Sequence, residues 1–208
     1  MLGLRLFDGK GRKNGAEVTD DNELLNILSP HPPLHPSKTK PFRQYLTDDG
    51  LSTGSNDMGV DGSVTNVDYW IPACSECDRY ITALSVEVAY GTTGQPNEWA
   101  DGTALTNGHR LFYISDQGER DIHDGIKNNQ AFFRLKFSLI PTNWEVRHLG
   151  ASNDFGYLFA IDLTKFGLPY GIKLDSGTTQ KLVMRIRDNA GTGADTFNMI
   201  AYGFDRIK

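Results

Sequence analysis

The chain has 208 residues, 38 % of them hydrophobic and 23 % charged, with a formal net charge of −5; this suffices for a packed core and argues against bulk disorder and against a basic nucleic-acid-binding surface. Two cysteines are too few for a disulfide-stapled secreted domain. No apolar run nears the ~20 residues of a membrane helix, and the opening MLGLRLFDGKGR lacks a basic segment ahead of an apolar one, so no signal peptide and synthesis in a cytoplasm are expected.

Residues 2–8 form a short strand candidate, followed by a turn at Gly9, Gly11, Asn14 and Gly15. Residues 16–18 suggest a second short strand. Residues 20–28, DDNELLNIL, fit either a helix start or a turn and a third strand. Residues 29–42, SPHPPLHPSKTKPF, carry five prolines. Each proline lacks an N–H, so the stretch reads as a polyproline-like arm and not as helix or central strand. Residues 47–63, TDDGLSTGSNDMGVDGS, are polar and glycine-rich and read as a loop or an ordered lid. Residues 1–63 thus hold little that buries a hydrophobic face alone. They are expected to form an extended N-terminal arm that docks on a neighbouring subunit, with residues 64–208 as the body.

In the body, residues 67–72 read as a strand stopped by Pro72. Residues 80–90 alternate, with Leu84, Val86, Val88 and Tyr90 on one face and Ser85 and Glu87 on the other. Residues 111–114 read as a short buried strand. Residues 119–129, ERDIHDGIKNN, suggest a helix with Ile122 and Ile126 on one side, in which Gly125 costs about 1 kcal/mol. Phe133, Leu135, Phe137 and Leu139 mark a strand ended by Pro141. Phe155, Tyr157, Phe159, Ile161 and Leu163 mark another. Residues 181–208 hold two strand-like runs around a glycine-rich turn at 188–195. Leu182, Met184 and Ile186 share a face of the first; Phe197, Met199, Ala201 and Gly203 alternate with Thr196, Asn198, Ile200, Tyr202 and Phe204 in the second. Together they predict a long β-hairpin that closes the domain. Roughly seven to eight strands with turn signals between them predict an all-β fold, an antiparallel β-sandwich or jelly roll.

Cys74-Ser75-Glu76-Cys77 is the sharpest chemical motif. A C-x-x-C pair can fill two corners of a zinc tetrahedron, with His31 and His35 as the candidates for the other two. The usual second C-x-x-C is missing, which favours a reduced, partly buried pair at a strand end or a vicinal redox pair with no function. A redox helix motif is disfavoured because the pair follows a proline and precedes a strand. Loop aspartates such as Asp57 and Asp61 could ligate calcium, but no twelve-residue EF-hand spacing occurs and Asx turns are the plainer reading. His109, His123 and His148 are isolated and read as structural or surface residues. Trp70, Trp99 and Trp144, with Tyr90, Tyr113 and Tyr157, could line a sugar-stacking platform, although core and interface roles are commoner for such residues. No nucleophile elbow, zincin motif or phosphate-binding loop follows a strand. Neither a catalytic residue nor a cofactor is expected.

Asp8-Gly9-Lys10-Gly11, followed by Asn14-Gly15-Ala16-Glu17-Val18-Thr19-Asp20-Asp21-Asn22-Glu23-Leu24-Leu25, resembles the N-terminal signature of minor virion proteins of tailed bacteriophages. There a D-G-x-G turn leads into A-x-V, an acidic-asparagine turn and leucine-rich residues. Asn198-Met199-Ile200-Ala201-Tyr202-Gly203-Phe204 is similar to the last strand of β-sandwich proteins from the same phages. The resemblance implies a virion structural component (decoration, neck, baseplate or fibre attachment) that carries no active site. Its expected partners are copies of itself and other virion subunits, with no direct nucleic-acid or membrane contact. The arm residues expected to make these contacts are Leu4, Leu6, Phe7, Pro32, Pro33, Leu34 and Phe42. The alternative is a carbohydrate- or receptor-binding module of a phage fibre, whose partner would be a host surface glycan.

Overall fold

The computed structural model of the chain describes residues 38–50, 57–92, 94–95, 97–131, 145–148, 155–165 and 170–207. Among these, ten strands form two antiparallel sheets. They are β1 (Thr39–Tyr45), β2 (Val67–Pro72), β3 (Cys77–Tyr90), β4 (His109–Ser115), β5 (Gly118–Ile126), β6 (Glu145–His148), β7 (Phe155–Asp162), β8 (Ile172–Leu174), β9 (Lys181–Ile186) and β10 (Thr196–Ile207). The larger sheet runs β1-β10-β3-β7-β6, with β8 also paired to β3; the smaller runs β2-β9-β4-β5. Four of the pairings are nested along the chain: β1 with β10, β2 with β9, β3 with β7 and β4 with β5.

The sheets bury their facing surfaces in one core because apolar residues recur at every second position of the facing strands. From the larger sheet come Leu84, Val86, Val88 and Tyr90 of β3 and Phe197, Met199 and Ala201 of β10. From the smaller come Tyr69 and Ile71 of β2, Leu111 of β4, and Leu182, Met184 and Ile186 of β9. Each such aliphatic or aromatic side chain contributes about 1.5–3 kcal/mol by leaving water. The outward face of the smaller sheet is also covered. Register aligns Trp70, Val183 and Phe112 in a cross-strand row, and Val183 and Phe112 are fully buried. The guanidinium carbons of Arg110 and Arg185 lie 4.3 and 5.0 Å from the Phe112 ring, and the Lys181 ammonium lies 4.7 Å from the Trp70 ring. The cationic heads thus lie over the aromatic rings, and those of Arg110 and Arg185 are also paired with Glu119 and Asp121 and with Asp68.

Three sequence expectations change. The closing hairpin does not exist: β9 belongs to the smaller sheet and β10 to the larger. Alternation identifies a buried face but not a partner, and these two strands face the same core from opposite sides. The connection between them, residues 187–195, arches from sheet to sheet and is pinned there. The Asp188 carboxylate accepts Gly108 N at 2.6 Å and Asn107 N at 3.0 Å, and Ala190 N donates to Val60 O at 2.9 Å.

Residues 119–129 are not a helix. Residues 118–126 are strand β5, paired with β4 through two register shifts. Positions four apart share a face in a strand as well as in a helix, so the spacing of Ile122 and Ile126 fits both. Gly125 sits beside one shift at φ 73°, in the left-handed region that glycine enters without strain.

The body begins well before residue 64. β1 joins the larger sheet, and Phe42, Leu46 and Met58 lie in the core. Pro41 is accommodated because β1 is an edge strand, paired on one side with β10. Residues 1–37 and the strand expected over 133–139 lie outside the described residues.

Candidate functional site

The densest group of chemically versatile side chains lies where β2 turns into β3. Ala73 N donates to Gln180 O at 2.9 Å, and Cys74 O accepts Gly177 N at 2.9 Å, so the turn is pinned by the neighbouring loop between β8 and β9. Within it Cys74 and Cys77 form a disulfide, with Cα atoms 5.3 Å apart. Of the two plain readings of the motif, the reduced pair is excluded and the vicinal redox pair is present in its oxidised form, because the turn brings the two cysteines within bonding reach. Cys77 is buried and Cys74 half-buried.

Strand register brings a charge pair to the same place. Cys77 is opposite Ile207 and Arg79 is opposite Asp205. Asp205 continues the inward row of β10 after Ala201 and Gly203, and the register shift that skips Thr82, by breaking the alternation of β3, turns Ile81 and Arg79 to the same side. Their side chains are only 19 % and 12 % exposed. Arg79 Nε donates to Asp205 Oδ1 at 2.8 Å and Nη2 to Oδ2 at 2.9 Å, a two-pronged pair. Arg79 Nη1 also donates to Pro72 O at 3.0 Å, tying the larger sheet to the smaller. The guanidinium carbon stands 4.2 Å from the Phe42 ring. An oxygen of Asp205 and the two cysteine sulfurs all lie within 4.8 Å of one another.

Sequence reasoning found the two cysteines and missed Arg79 and Asp205. The available signal was an acid on the inward-facing row of β10, since a buried charge demands a partner; alternation alone puts Arg79 on the outward row of β3 with Ser85 and Glu87, and only the register shift reverses it. Phe42, expected at a docking surface, instead packs in the core beneath Arg79 and is 9 % exposed; as an edge-strand residue on the inward face it has no ring surface to offer a neighbour. His31, His35, Leu4, Leu6, Phe7, Pro32, Pro33 and Leu34 lie outside the described residues.

At the opposite end of the sheets, His109 is completely buried. Its ring meets the edge of Trp99 at 4.8 Å and stacks on Phe197 at 6.0 Å. Neither ring nitrogen has a hydrogen-bond partner among the described residues. Burial pushes its pKa down to about 4, opposed by the nearby Asp188 carboxylate and reinforced by Arg187. His123, half-buried on β5, is also shifted downward by burial.

Trp99, a candidate for sugar stacking, is fully buried and donates its indole N–H to Ala190 O at 2.8 Å. Tyr90 is buried as well, while Trp70 is half-covered by the backbone of Gly50, where a Cβ would fall 2.0 Å from the indole nitrogen. Trp144 lies outside the described residues. The loop aspartates act on backbone amides: Asp57 Oδ1 accepts Gly59 N and Phe197 N, each at 2.9 Å, and Asp61 Oδ1 accepts Ser63 N at 2.9 Å. Asp68 pairs with Arg185, and Asp121 and Glu119 pair with Arg110. No helix among the described residues is long and apolar enough to cross a membrane. Comparison of the chain with protein-family models, curated proteins and solved structures finds no match.

Proposed function

We propose that this chain is a non-enzymatic structural protein of a tailed-phage virion, a jelly-roll body that joins neighbouring subunits through residues 1–37 and through its sheet edges. The observation that carries this reading is the nested pairing of β1 with β10, β2 with β9, β3 with β7 and β4 with β5. A chain paired in this way is one long antiparallel hairpin wrapped into two sheets, the wiring of jelly rolls, which viral capsid proteins use repeatedly. The resemblance of residues 8–25 and 198–204 to phage virion proteins supports that use of the fold.

The position of β1 supports docking by the segment before it. Residues 1–37 precede β1 in the chain, and β1 is an edge strand whose outer row of N–H and C=O groups is unpaired by any described strand. Such an edge accepts a strand from another chain. The ion pairs and amide clamps made by Asp57, Asp68, Asp188 and Asp205 fit a body whose acids hold structure together.

Size-exclusion chromatography with light scattering on the full chain and on residues 38–208 tests the reading. The full chain should run as a defined multimer. The shorter chain should keep a β-type circular dichroism spectrum and lose that multimer. A full chain that stays monomeric across the micromolar range would sink the proposal.

A further inference from the structure

We infer that Cys74, Cys77 and Asp205 form a redox-gated site for a thiophilic divalent cation such as Zn²⁺, closed while the disulfide stands and open once it is reduced. Two sulfurs and a carboxylate oxygen already lie within 4.8 Å of one another. A Zn–S bond of about 2.3 Å in a tetrahedron places two thiolates about 3.8 Å apart. The Cα separation of 5.3 Å spans that as readily as the disulfide, so opening needs side-chain rotation and little backbone movement.

The third ligand is positioned by β10 and held by Arg79. Each carboxylate oxygen carries two lone pairs, so Asp205 can take a cation while still accepting from the guanidinium. Arg79 then serves as the outer partner that orients a metal ligand. Two thiolates and a carboxylate beside a single guanidinium leave an excess of negative charge that a divalent cation neutralises. Thiolate donors favour zinc-like over magnesium- or calcium-like ions.

The gating step is thiol–disulfide exchange. A thiolate of a dithiol reductant attacks the Sγ of half-buried Cys74, and buried Cys77 leaves as thiolate. The reductant's second thiol then displaces Cys74 and closes the reductant's own disulfide, two electrons having passed to the protein. Cation binding releases the protons of the two cysteine thiols to solvent, and water completes the coordination.

The test uses the full chain and Co²⁺ as probe. A water-soluble phosphine serves as reductant; it becomes a phosphine oxide by taking oxygen from water. The reduced chain should bind Co²⁺ with thiolate-to-cobalt absorption, and the oxidised chain should show none. Asp205→Asn should weaken binding by roughly tenfold or more. Asp205→Cys, which keeps a donor in place, should raise the absorption per bound cobalt by about half, from two thiolates to three. His31→Ala and His35→Ala should leave the affinity unchanged. Lack of thiolate-to-cobalt absorption in the reduced chain overturns the site. Unchanged absorption per cobalt in Asp205→Cys, or a loss in either histidine variant as large as in Asp205→Asn, overturns the assignment of the third ligand.

Discussion

Arg79 and Asp205 face each other across β3 and β10 with both guanidinium–carboxylate contacts made, at 2.8 and 2.9 Å, on the inward side of the sheet. An interior pair of this kind is costly to break from one side, because the partner left behind is a desolvated charge. Asp205→Ala and Arg79→Ala should each lower unfolding stability by about 2–4 kcal/mol, read as a shift of the urea midpoint. The double variant should lose less than the sum. Additive losses would show that the two residues act independently.

The pH dependence of stability should carry the signature of His109. Its pKa is about 4 in the folded chain and about 6.5 when unfolded. Between those values the unfolded chain binds the proton and the folded chain does not, so stability is complete above pH 6.5 and falls toward pH 4, by about 3 kcal/mol in all. Asp188 limits the loss and Arg187 adds to it. Urea unfolding at pH 7.5, 5.5 and 4.5 should show the decline, and His109→Leu should flatten it. An equally steep decline in that variant would assign the effect to other groups.

Two glycines should respond in opposite degree to alanine. At Gly203, beside the register shift between β10 and β3, a Cβ would fall 1.8 Å from the carbonyl oxygen of Tyr80. That atom is backbone in the middle of the larger sheet, so Gly203→Ala should cost about 3 kcal/mol or more. Gly118, at the tip between β4 and β5, has φ 95° and open space around it. Gly118→Ala should cost about 1 kcal/mol, from backbone conformation alone. Thermal unfolding of both variants ranks them directly, and equal losses would contradict the packing described here.

Reducing the disulfide should leave the chain folded. The loop it closes, Cys74 to Cys77, is short, and constraining so short a loop in the unfolded chain is worth about 2 kcal/mol. Phosphine-reduced protein should keep its circular dichroism spectrum and unfold at a modestly lower urea concentration. Complete unfolding on reduction would mean that the bond carries far more than loop entropy.

The legible part of the fold was the part that local alternation records. The inward rows Leu84–Val86–Val88 and Leu182–Met184–Ile186 can be read directly, because a strand with one buried face must repeat every two residues. Which strand lies beside which cannot be read that way. β9 and β10 adjoin in sequence and carry matching patterns, yet they pair with β2 and β4 and with β1 and β3, respectively. Residues 39–45 were hidden by their one proline, since Pro41 argues against a central strand and is silent about an edge. The cysteine half of the candidate site was visible as a motif. The other half, Arg79 and Asp205, is distant in sequence, and only the register of β3 against β10 brings it alongside.

β10 lies between β1 and β3, so the strand closest to the C-terminal end of the chain is interior to the larger sheet. Thr39 waits for Arg206, and Cys77 for Ile207. Until residues 196–207 are in place β1 lacks its ladder and β3 has only those with β7 and β8, so each offers an unmatched edge to its neighbours. Folding should therefore be slow, with aggregation through those edges as its main competitor.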